Sequence, residues 1–557
     1  MLADYQGWGR GRLGTSGPSG AANEQSITKT PRAGYLCKSK VRKKRAFGCY
    51  TDQMNCHAEY VEAFLPLRCY SKCFDTLSMT FFFSLPSPTL SMDTYHDLIS
   101  QTFDFPTQDF TVADNELQFH GIDLMGLIEK HGTPLRLTYL PKISSQIQRA
   151  KQWFQAGIEK TGYKGRYTYC YCTKASHFSF VVEEALKNDV HIETSSWFDV
   201  SIIRAMYQKG RINKDTYIIC NGFKREEYRR DITALINEGF VNCVPIIDHL
   251  GEIDYYHEHV REQCKLGIRV ASDEEPRFQF YTSRLGVRYT DVVPLYEQRI
   301  KEDPRFELTM LHYFINTGIK DTSYYWSELS RFVHKYCELR KLCPTLTTID
   351  IGGGLPIQTS IQPDYDYPYM IEEVLRTIQR ICAEEGVPEP DIFTEFGIFT
   401  VGESGATLYS ILDEKLQNDK ELWYMIDGSF ITNLPDTWAL NQRFIMLAVN
   451  GWNKSYKKIQ LGGLTCDSQD YYNAEKHIYQ VFLPERKPVD KEPLYVGFFH
   501  IGAYQESLSG YGGIKHCLIP APKMVILDRD ADGNLTDRVF ANEQKPETMM
   551  RILGYQE

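Results

Sequence analysis

Residues 167–194 read YTYCYCTKASHFSFVVEEALKNDVHIET, and this stretch decides the fold class. Its first part, 167–173, is a run of aromatic and small residues with the length and composition of a β-strand. A helical pattern follows at 180–188, and a second strand candidate follows at 190–194. Strand, helix and strand in this order predict one parallel βαβ unit.

The same alternation continues through the middle of the chain. A helix is predicted over 142–158, and helical stretches at 200–209, 226–237 and 369–384 separate further strand candidates. The eight strand candidates are 167–173, 190–194, 216–221, 241–247, 266–270, 308–315, 347–351 and 391–395. Eight βα units predict an α/β fold, a (β/α)8 TIM barrel. A doubly wound open sheet is the alternative that the pattern leaves open.

The pattern changes after about residue 405. Short apolar runs then alternate with turns rich in Gly, Pro and Asp, as in an antiparallel sheet. These runs are 423–426, 443–448, 495–499 and 523–527. We therefore expect a barrel over 131–405, a C-terminal antiparallel β-domain over 406–557, and a lead-in over 92–130 that contributes to the β-domain.

Residues 1–91 differ in character from the rest. They hold 12 Lys and Arg against 6 Asp and Glu, a net charge of +6, and show no sustained helix or strand period. Three hypotheses remain open: a disordered tail, a targeting presequence, or a segment absent from the natural protein, with the start at Met92. Since the whole chain has a net charge of −10, the remainder carries −16. An acidic body argues against nucleic-acid binding and suits a cationic substrate, although acidity also serves solubility.

The sequence argues against a membrane-spanning protein and against a zinc-binding protein. No stretch of about 18 apolar residues exists, so we expect no membrane span. The 15 cysteines show no paired CxxC or Cys/His spacing of a zinc site, so we expect no metal site and reduced thiols in a cytoplasmic protein.

Residues that could take part in catalysis or cofactor binding lie where the predicted strands end. These ends hold Lys174, Glu193, Glu395 and the glycine run 352–354, and in a barrel they meet on one rim. A glycine run offers bare N–H groups to a phosphate, or simply makes a tight turn. A rim lysine whose pKa is lowered by partial burial becomes a nucleophile, although most such lysines are solvated. Phosphate cradle, lysine and carboxylate together favour pyridoxal phosphate, which needs the carboxylate at its pyridine nitrogen. Glu395 could equally pair with a nearby cation.

The second domain offers further candidates. Cys466 beside Asp467 could be a proton donor next to a cation anchor, or an incidental surface turn. Asp427 is another carboxylate at a strand end. Tyr504, between small and polar residues, could reach a ligand or could be ordinary packing.

Four motifs together resemble one family. They are the Lys174 segment, DIGGGLP at 350–356, TEFG at 394–397 and TCD at 465–467. The chain resembles, over roughly 110–530, the fold-type III pyridoxal-phosphate decarboxylases, whose barrel is of the alanine-racemase type. Within that family, LPDTWAL at 434–440, TCDS at 465–468 and GAYQE at 502–506 are most similar to the arginine-specific members.

The resemblance implies a reaction and a set of roles. The reaction is decarboxylation of L-arginine to agmatine and CO2, a step in polyamine and spermidine biosynthesis. Lys174 carries the cofactor as a Schiff base, Glu395 keeps its pyridine nitrogen protonated, and Glu193 lies near its ring. The phosphate-binding positions are Gly352, Gly353, Gly354, Thr317 and Tyr504.

The β-domain roles depend on a second subunit. The resemblance implies that Cys466 returns a proton to the substrate Cα, while Asp467 and Asp427 hold its distal cation. It also implies a head-to-tail homodimer in which the Cys-Asp segment enters the partner's barrel. A magnesium requirement stays open, since members that act on arginine are often assisted by Mg2+.

Two positions depart from the family pattern. Phe314 stands where the family has a histidine that stacks on the cofactor ring, and Ile398 stands where it has an arginine that grips phosphate. The alternatives are a decarboxylase of ornithine, lysine, diaminopimelate or carboxynorspermidine, a non-catalytic regulatory homologue, and an amino-acid racemase. Cys466 with Asp467 argues against the racemase, because racemases of this family use a tyrosine as second base.

Overall fold

Eight parallel strands close into a barrel, in which the eighth strand pairs with the first through Ile392 and Tyr167. The structure is a computed structural model that describes residues 109–274, 281–359, 365–440, 442–472, 481–487, 490 and 492–555. The hypotheses for 1–91 fall outside these residues. The barrel strands are Tyr167–Cys172, His191–Thr194, Ile218–Cys220, Cys243–Ile247, Cys264–Arg269, Phe306–His312, Thr348–Asp350 and Asp391–Glu395. The predicted barrel is confirmed, and the open sheet is excluded because the two edges meet.

Helices surround the barrel. Leu140–Thr161 precedes the first strand and has Pro141 in its first turn, where the missing N–H costs no intrahelical hydrogen bond. The helices after strands one to eight are, in order, Ser179–Leu186, Trp197–Gln208, Glu226–Asn237, Glu252–His259, Val292–Leu295, Ser323–Leu342, Tyr367–Glu385 and Ile398–Val401. Leu140–Thr161 and Tyr367–Glu385 each end at a glycine in the left-handed conformation, Gly162 and Gly386. Such a residue closes the last turn without a Cβ clash.

A second sheet of nine strands follows the barrel. Its strands are Leu135–Tyr139, Gly405–Gln417, Glu421–Ile426, Ile445–Ala448, Tyr456–Gly462, Val481–Pro484, Tyr495–Phe499, Lys523–Arg529 and Leu535–Ala541. Two features differ from the prediction. Leu135–Tyr139, expected within the barrel range, lies in this sheet between Gly405–Gln417 and Lys523–Arg529. The sheet is also mixed rather than purely antiparallel, since Leu135–Tyr139 runs parallel to Lys523–Arg529.

The N-terminal part of the described chain forms a small sheet of its own. Its strands are Phe110–Ala113, Glu116–Phe119 and Ile122–Asp123, followed by helix Leu124–His131. Phe110 and Phe119 are buried in one apolar cluster with Leu408 and Phe499 of the large sheet. Four short helices complete the second domain: Phe430–Asn433, Pro435–Ala439, Gln505–Leu508 and Pro546–Ile552.

The barrel interior is a packed core that supports one open end. Side chains from several strands fill it, namely Cys170, Ile219, Val244, Ile246, Met310 and Phe393. Polar residues at the carboxyl ends of the strands therefore lie together above an apolar floor. Within the part of the chain that the structure describes, no helix is long and apolar enough to cross a bilayer.

Candidate active site

Lys174 lies in a single 3-10 turn, Thr173–Ala175, directly after the first barrel strand. Its Nζ atom is 2.6 Å from Oε2 of Glu193, which lies next to the end of the second strand and is fully buried. The Lys174 side chain itself is 42% exposed. Burial alone lowers the pKa of this ammonium, but Cys172 and the Glu193 and Glu395 carboxylates outweigh it and hold the pKa well above its ordinary value. The carboxylates beside the lysine therefore act against the lowering of its pKa that burial alone would give.

Glu395 ends the eighth strand and accepts two hydrogen bonds. Asn221 donates from Nδ2 to Oε1 of Glu395 at 2.6 Å, and His312 Nε2 lies 3.3 Å from Oε2. The same Asn221 group also donates to Oε1 of Glu193 at 3.2 Å. Burial acts to raise the pKa of Glu395, but His312 and Lys174 outweigh it and lower the pKa. Glu395 is thus a buried carboxylate held in place by an amide.

Asp350 forms a third carboxyl group at this rim. Its Oδ1 accepts the backbone N–H of Gly352 at 2.8 Å. Burial, and then the Glu395 carboxylate, raise the pKa of Asp350 well above its ordinary value. One ligand atom each from His312, Asp350 and Glu395 lie within 4.8 Å of one another. The surroundings therefore favour the protonated form of Asp350 and the ionised form of Glu395.

These groups open into a cavity of about 640 Å³. This volume is in the range of small-molecule and cofactor pockets. Predicted site residues in its lining are Lys174, Glu193, Thr317, Gly353, Gly354, Glu395 and Tyr504. Gly352 is not in the lining and instead forms the turn beneath it, with a φ of 69°.

The glycine run makes one wall of this cavity. Gly354 has a φ of 104°, and a Cβ there would lie 2.6 Å from Cα of Gly318. A Cβ on Gly353 would lie 2.6 Å from the carbonyl oxygen of Glu395. Nearby, the buried Thr317 Oγ1 has no hydrogen-bond partner among the described residues. Bare backbone and an unused hydroxyl are suited to phosphate oxygens, which accept several hydrogen bonds.

Tyr504 connects the second domain to this rim. Its backbone N–H donates to the carbonyl of Ala175, next to Lys174, at 2.8 Å, and its φ is 65°. The following residue, Gln505, is buried and donates from Nε2 to Asp436 Oδ2 at 2.7 Å. The two stretches at 434–440 and 502–506 therefore meet in space, although about 70 residues separate them.

A protein-family comparison decides what this barrel is. The family model described as pyridoxal-dependent decarboxylase, pyridoxal binding domain, matches residues 140–402. These residues are a pyridoxal-binding domain of the pyridoxal-dependent decarboxylases. The family predicted from the motifs is confirmed, and pyridoxal phosphate is a cofactor that the cavity fits: a lysine, a buried carboxylate and a bare phosphate cradle lie on its walls.

Individual relatives agree with this family. The chain is 22% identical over 505 residues to the biosynthetic arginine decarboxylase of Marinobacter nauticus, covering 67% of this chain and 77% of that protein. The biosynthetic arginine decarboxylase of Campylobacter jejuni superposes with a TM-score of 0.69 at 19% identity, over 81% of this chain and 90% of the other. Diaminopimelate decarboxylase of M. jannaschii in complex with L-lysine gives a TM-score of 0.66 at 16% identity, over 79% and 96%. At such identities the structures show a shared fold.

Two residues of the cavity lining differ from the family pattern. Phe314 and Ile398, the two departures from the family pattern, both line it. The guanidinium of Arg269 lies 5.9 Å from the centroid of the Phe314 ring. Besides Lys174, the lysine and arginine side chains among the described lining residues are Arg269 and Lys320. Arg269 and Lys320 are therefore the cations that can pair with a cofactor phosphate in place of the arginine that the family has at position 398.

Besides Gly352, three predicted residues lie outside the cavity lining. Cys466 is exposed, on the turn between Gly463 and Asp470, with its Sγ 3.6 Å from Sγ of Cys517. Oδ1 of the next residue, Asp467, accepts the N–H of Gln469 at 2.8 Å. The Asp427 carboxylate accepts the hydroxyls of Thr133 and Ser410 at 2.5 and 3.0 Å. One chain alone therefore does not bring these groups to Lys174.

Sequence reasoning missed four residues that shape the site: Asn221, Arg269, His312 and Lys320. Asn221 follows the third barrel strand, so the rule that placed Lys174 and Glu193 could have found it. Arg269 and His312 end the fifth and sixth strands and carried the same signal. Lys320 follows a turn, and nothing in its spacing marks it.

Proposed function

We propose that this protein is a pyridoxal-phosphate-dependent decarboxylase, a lyase that converts L-arginine to agmatine and CO2. The observation that carries the proposal is the position of Lys174 Nζ in one cavity with Glu395 and the glycine cradle. The arginine substrate is supported by the names of the similar curated proteins, among them arginine decarboxylases of Marinobacter nauticus and rice. This reaction belongs to polyamine biosynthesis.

The cofactor would be held at three points. Lys174 would bind its aldehyde carbon, Glu395 its pyridine nitrogen, and Thr317 with the 353–354 backbone its phosphate. Bound pyridoxal phosphate supplies an electron sink for the electron pair that CO2 leaves behind. The lowered pKa of Glu395 keeps this residue ionised at neutral pH, so it can only accept a hydrogen bond from a protonated ring nitrogen.

Lys174 must lose a proton before it can act as a nucleophile. Oε2 of Glu193 lies 2.6 Å from its Nζ and is the nearest acceptor. A short charge-assisted bond of this kind positions both atoms for proton transfer. Asn221 donates hydrogen bonds to both Glu193 and Glu395. This one side chain therefore restrains the distance between Glu193, the proposed proton acceptor, and Glu395, the proposed partner of the ring nitrogen.

The proton that replaces CO2 would come from Cys466 of a second subunit. We propose a homodimer in which the turn around Cys466 and Asp467 enters the partner's cavity. The support is that Cys466 is exposed and outside the cavity lining of its own chain. Its turn is held in shape, because Asp470 Oδ2 accepts both N–H and O–H of Thr465 at 3.0 and 2.8 Å.

Asp467 and Asp427 are proposed to select the guanidinium. A planar guanidinium makes two parallel bonds to a carboxylate, which an ammonium cannot do. Asp467 keeps free acceptor capacity, because a carboxylate has about four lone-pair sites and the structure records one donor at Oδ1 and His516 Nε2 at 3.5 Å from Oδ2. Burial raises the pKa of Asp427 although three donors stabilise its charge, so a cationic substrate would favour its ionised form.

A cytoplasmic location is proposed from the thiols. All ten cysteines of the described residues are free, and eight are buried. A magnesium requirement gains no support from the described residues: the His, Asp and Glu of the cluster that could hold an ion are not the all-oxygen shell that Mg2+ prefers.

The product profile tests the proposal. The purified chain with pyridoxal phosphate is incubated separately with arginine, ornithine, lysine and diaminopimelate, and amines and CO2 are measured. Agmatine from arginine at least 100-fold faster than amine from any other supports it. Preferred turnover of another amino acid would keep the chemistry and overturn the substrate. No turnover, with cofactor bound to Lys174, would favour a non-catalytic homologue.

A further inference from the structure

Cys466 and Cys517 differ in exposure from the other cysteines of the described residues. The eight remaining thiols there are buried, whereas these two are exposed and their sulfur atoms lie 3.6 Å apart. In a single chain, an exposed thiol pair at this distance is accessible to oxidants and close enough to react. In the proposed homodimer Cys466 would face the cavity that the substrate enters, so a small reagent would reach it by the same route. Two other pairs, Cys220–Cys243 at 3.9 Å and Cys337–Cys382 at 4.0 Å, are slightly farther apart and buried.

Hydrogen bonds anchor the two chain segments that carry Cys466 and Cys517. The turn of Cys466 is fixed by Asp470, whose Oδ1 also accepts the N–H of Phe430 at 2.8 Å. Cys517 lies in the short 3-10 turn His516–Leu518, with a φ of 52°. Lys515, the residue before this turn, is buried and donates from Nζ to the carbonyls of Thr432 and Ser509 at 3.3 and 3.2 Å. Both thiols are therefore on anchored segments.

A second contact joins the same two segments. Nε2 of His516 lies 3.5 Å from Oδ2 of Asp467, so neighbours of both cysteines face each other. A disulfide has a sulfur–sulfur distance of about 2.05 Å. Rotation of the two side chains must supply the remaining approach of roughly 1.5 Å, while both segments stay in place.

We propose that Cys466 and Cys517 are a reversible disulfide site that reacts with low-molecular-weight disulfides. In the first step the thiolate of Cys466 attacks one sulfur of the reagent, forms a mixed disulfide and expels one small thiol. In the second step the thiolate of Cys517 attacks the Cys466 sulfur and expels the other small thiol. The two protein thiols lose two electrons and two protons, and the reagent takes both up as two thiols.

The site bears on catalysis because it includes Cys466. A sulfur in a disulfide has no proton to give, so closure of the pair removes the thiol that the proposed function needs. This consequence rests on the proposed function, whereas the disulfide site does not. Reduction by a thiol reverses it.

The experiment uses the full chain with pyridoxal phosphate and oxidised glutathione. Peptide mapping of the untreated and treated protein is expected to show a linked peptide pair containing Cys466 and Cys517, and the buried Cys337 and Cys382 as free thiols. Cys517→Ser is the matched variant: it lacks the second thiol, so glutathione should stay attached to Cys466. Wild-type protein that keeps glutathione on Cys466, or that leaves both thiols unreacted, would overturn the proposal.

An activity readout separates the two proposals. Treated wild-type protein should lose at least tenfold of its arginine decarboxylation and regain it with dithiothreitol. If the linked peptides form but the untreated protein decarboxylates no basic amino acid, the proposed function fails and the disulfide site stands. If full activity persists with the link formed, the role of Cys466 as proton donor is wrong.

Discussion

Asn221 donates one amide group to two carboxylates, Glu395 at 2.6 Å and Glu193 at 3.2 Å. It thereby joins the partner proposed for the cofactor nitrogen to the residue that contacts Lys174. A hydrogen bond from an amide to a charged acceptor contributes about 1.5–3 kcal/mol, which is more than a bond between neutral groups contributes.

Asn221→Ala should therefore weaken cofactor binding. Without the amide, two buried carboxylates face each other unscreened, and Glu395 loses its orientation. We expect the dissociation constant of pyridoxal phosphate to rise about tenfold to a hundredfold, in line with those bond energies. Titration of the apo-protein followed by tryptophan fluorescence measures it. Asn213→Ala, at an exposed position, is the control; an Asn221→Ala protein that binds as tightly as this control would contradict the bridge.

Glu193→Gln should make Lys174 reactive at lower pH. The Glu193 carboxylate raises the pKa of Lys174, so its removal lowers the pH at which the amine loses its proton. The pH midpoint for imine formation between apo-protein and pyridoxal phosphate, read from the absorbance band, should fall by about one unit. A midpoint that stays the same or rises would show that Glu193 does not control this lysine.

Ile398→Arg should tighten cofactor binding. Ile398 lines the cavity where the family has an arginine, and a guanidinium there could make charge-assisted bonds to phosphate. We expect the dissociation constant to fall about tenfold. Ile398→Met, whose side chain is unbranched like that of arginine but stays apolar, is the control and should not tighten binding. Equal affinities for the two variants would mean that the phosphate lies elsewhere.

Asp350→Asn should change the pH dependence of stability. The folded-state pKa of Asp350 is raised above that of an unfolded aspartate, so its contribution to stability is complete below about pH 4 and is lost as pH rises toward the folded pKa. Asparagine is neutral throughout and can still accept the Gly352 N–H. The melting temperature of the variant relative to wild type should therefore increase between pH 5 and pH 8. A constant difference over this range would contradict the shift.

Much of the fold could be predicted because it depends on local pattern. All eight barrel strands lie at or within about three residues of their expected positions, and strand ends placed Lys174, Glu193 and Glu395 on one rim. Leu135–Tyr139 was placed in the barrel range because a single apolar run does not reveal which sheet it joins. Its partners come from Gly405–Gln417 and Lys523–Arg529, hundreds of residues away.

The site was harder to predict where contacts are distant in sequence. The raised pKa of Lys174 depends on groups that include the Glu193 and Glu395 carboxylates, which come from two other barrel strands. The contact between Cys466 and Cys517 spans 51 residues and depends on how two turns of the second domain meet. Neither composition nor spacing carries such information.

Covalent trapping tests whether Lys174 carries the cofactor. The full chain is incubated with pyridoxal phosphate, reduced with sodium borohydride and digested, and the modified peptide is identified by mass spectrometry. One phosphopyridoxyl group is expected on the peptide that contains Lys174, and no such peptide is expected from Lys174→Ala. Modification of Lys320 or another lysine in place of Lys174, or no stable modification of the wild-type protein, would contradict this role of Lys174.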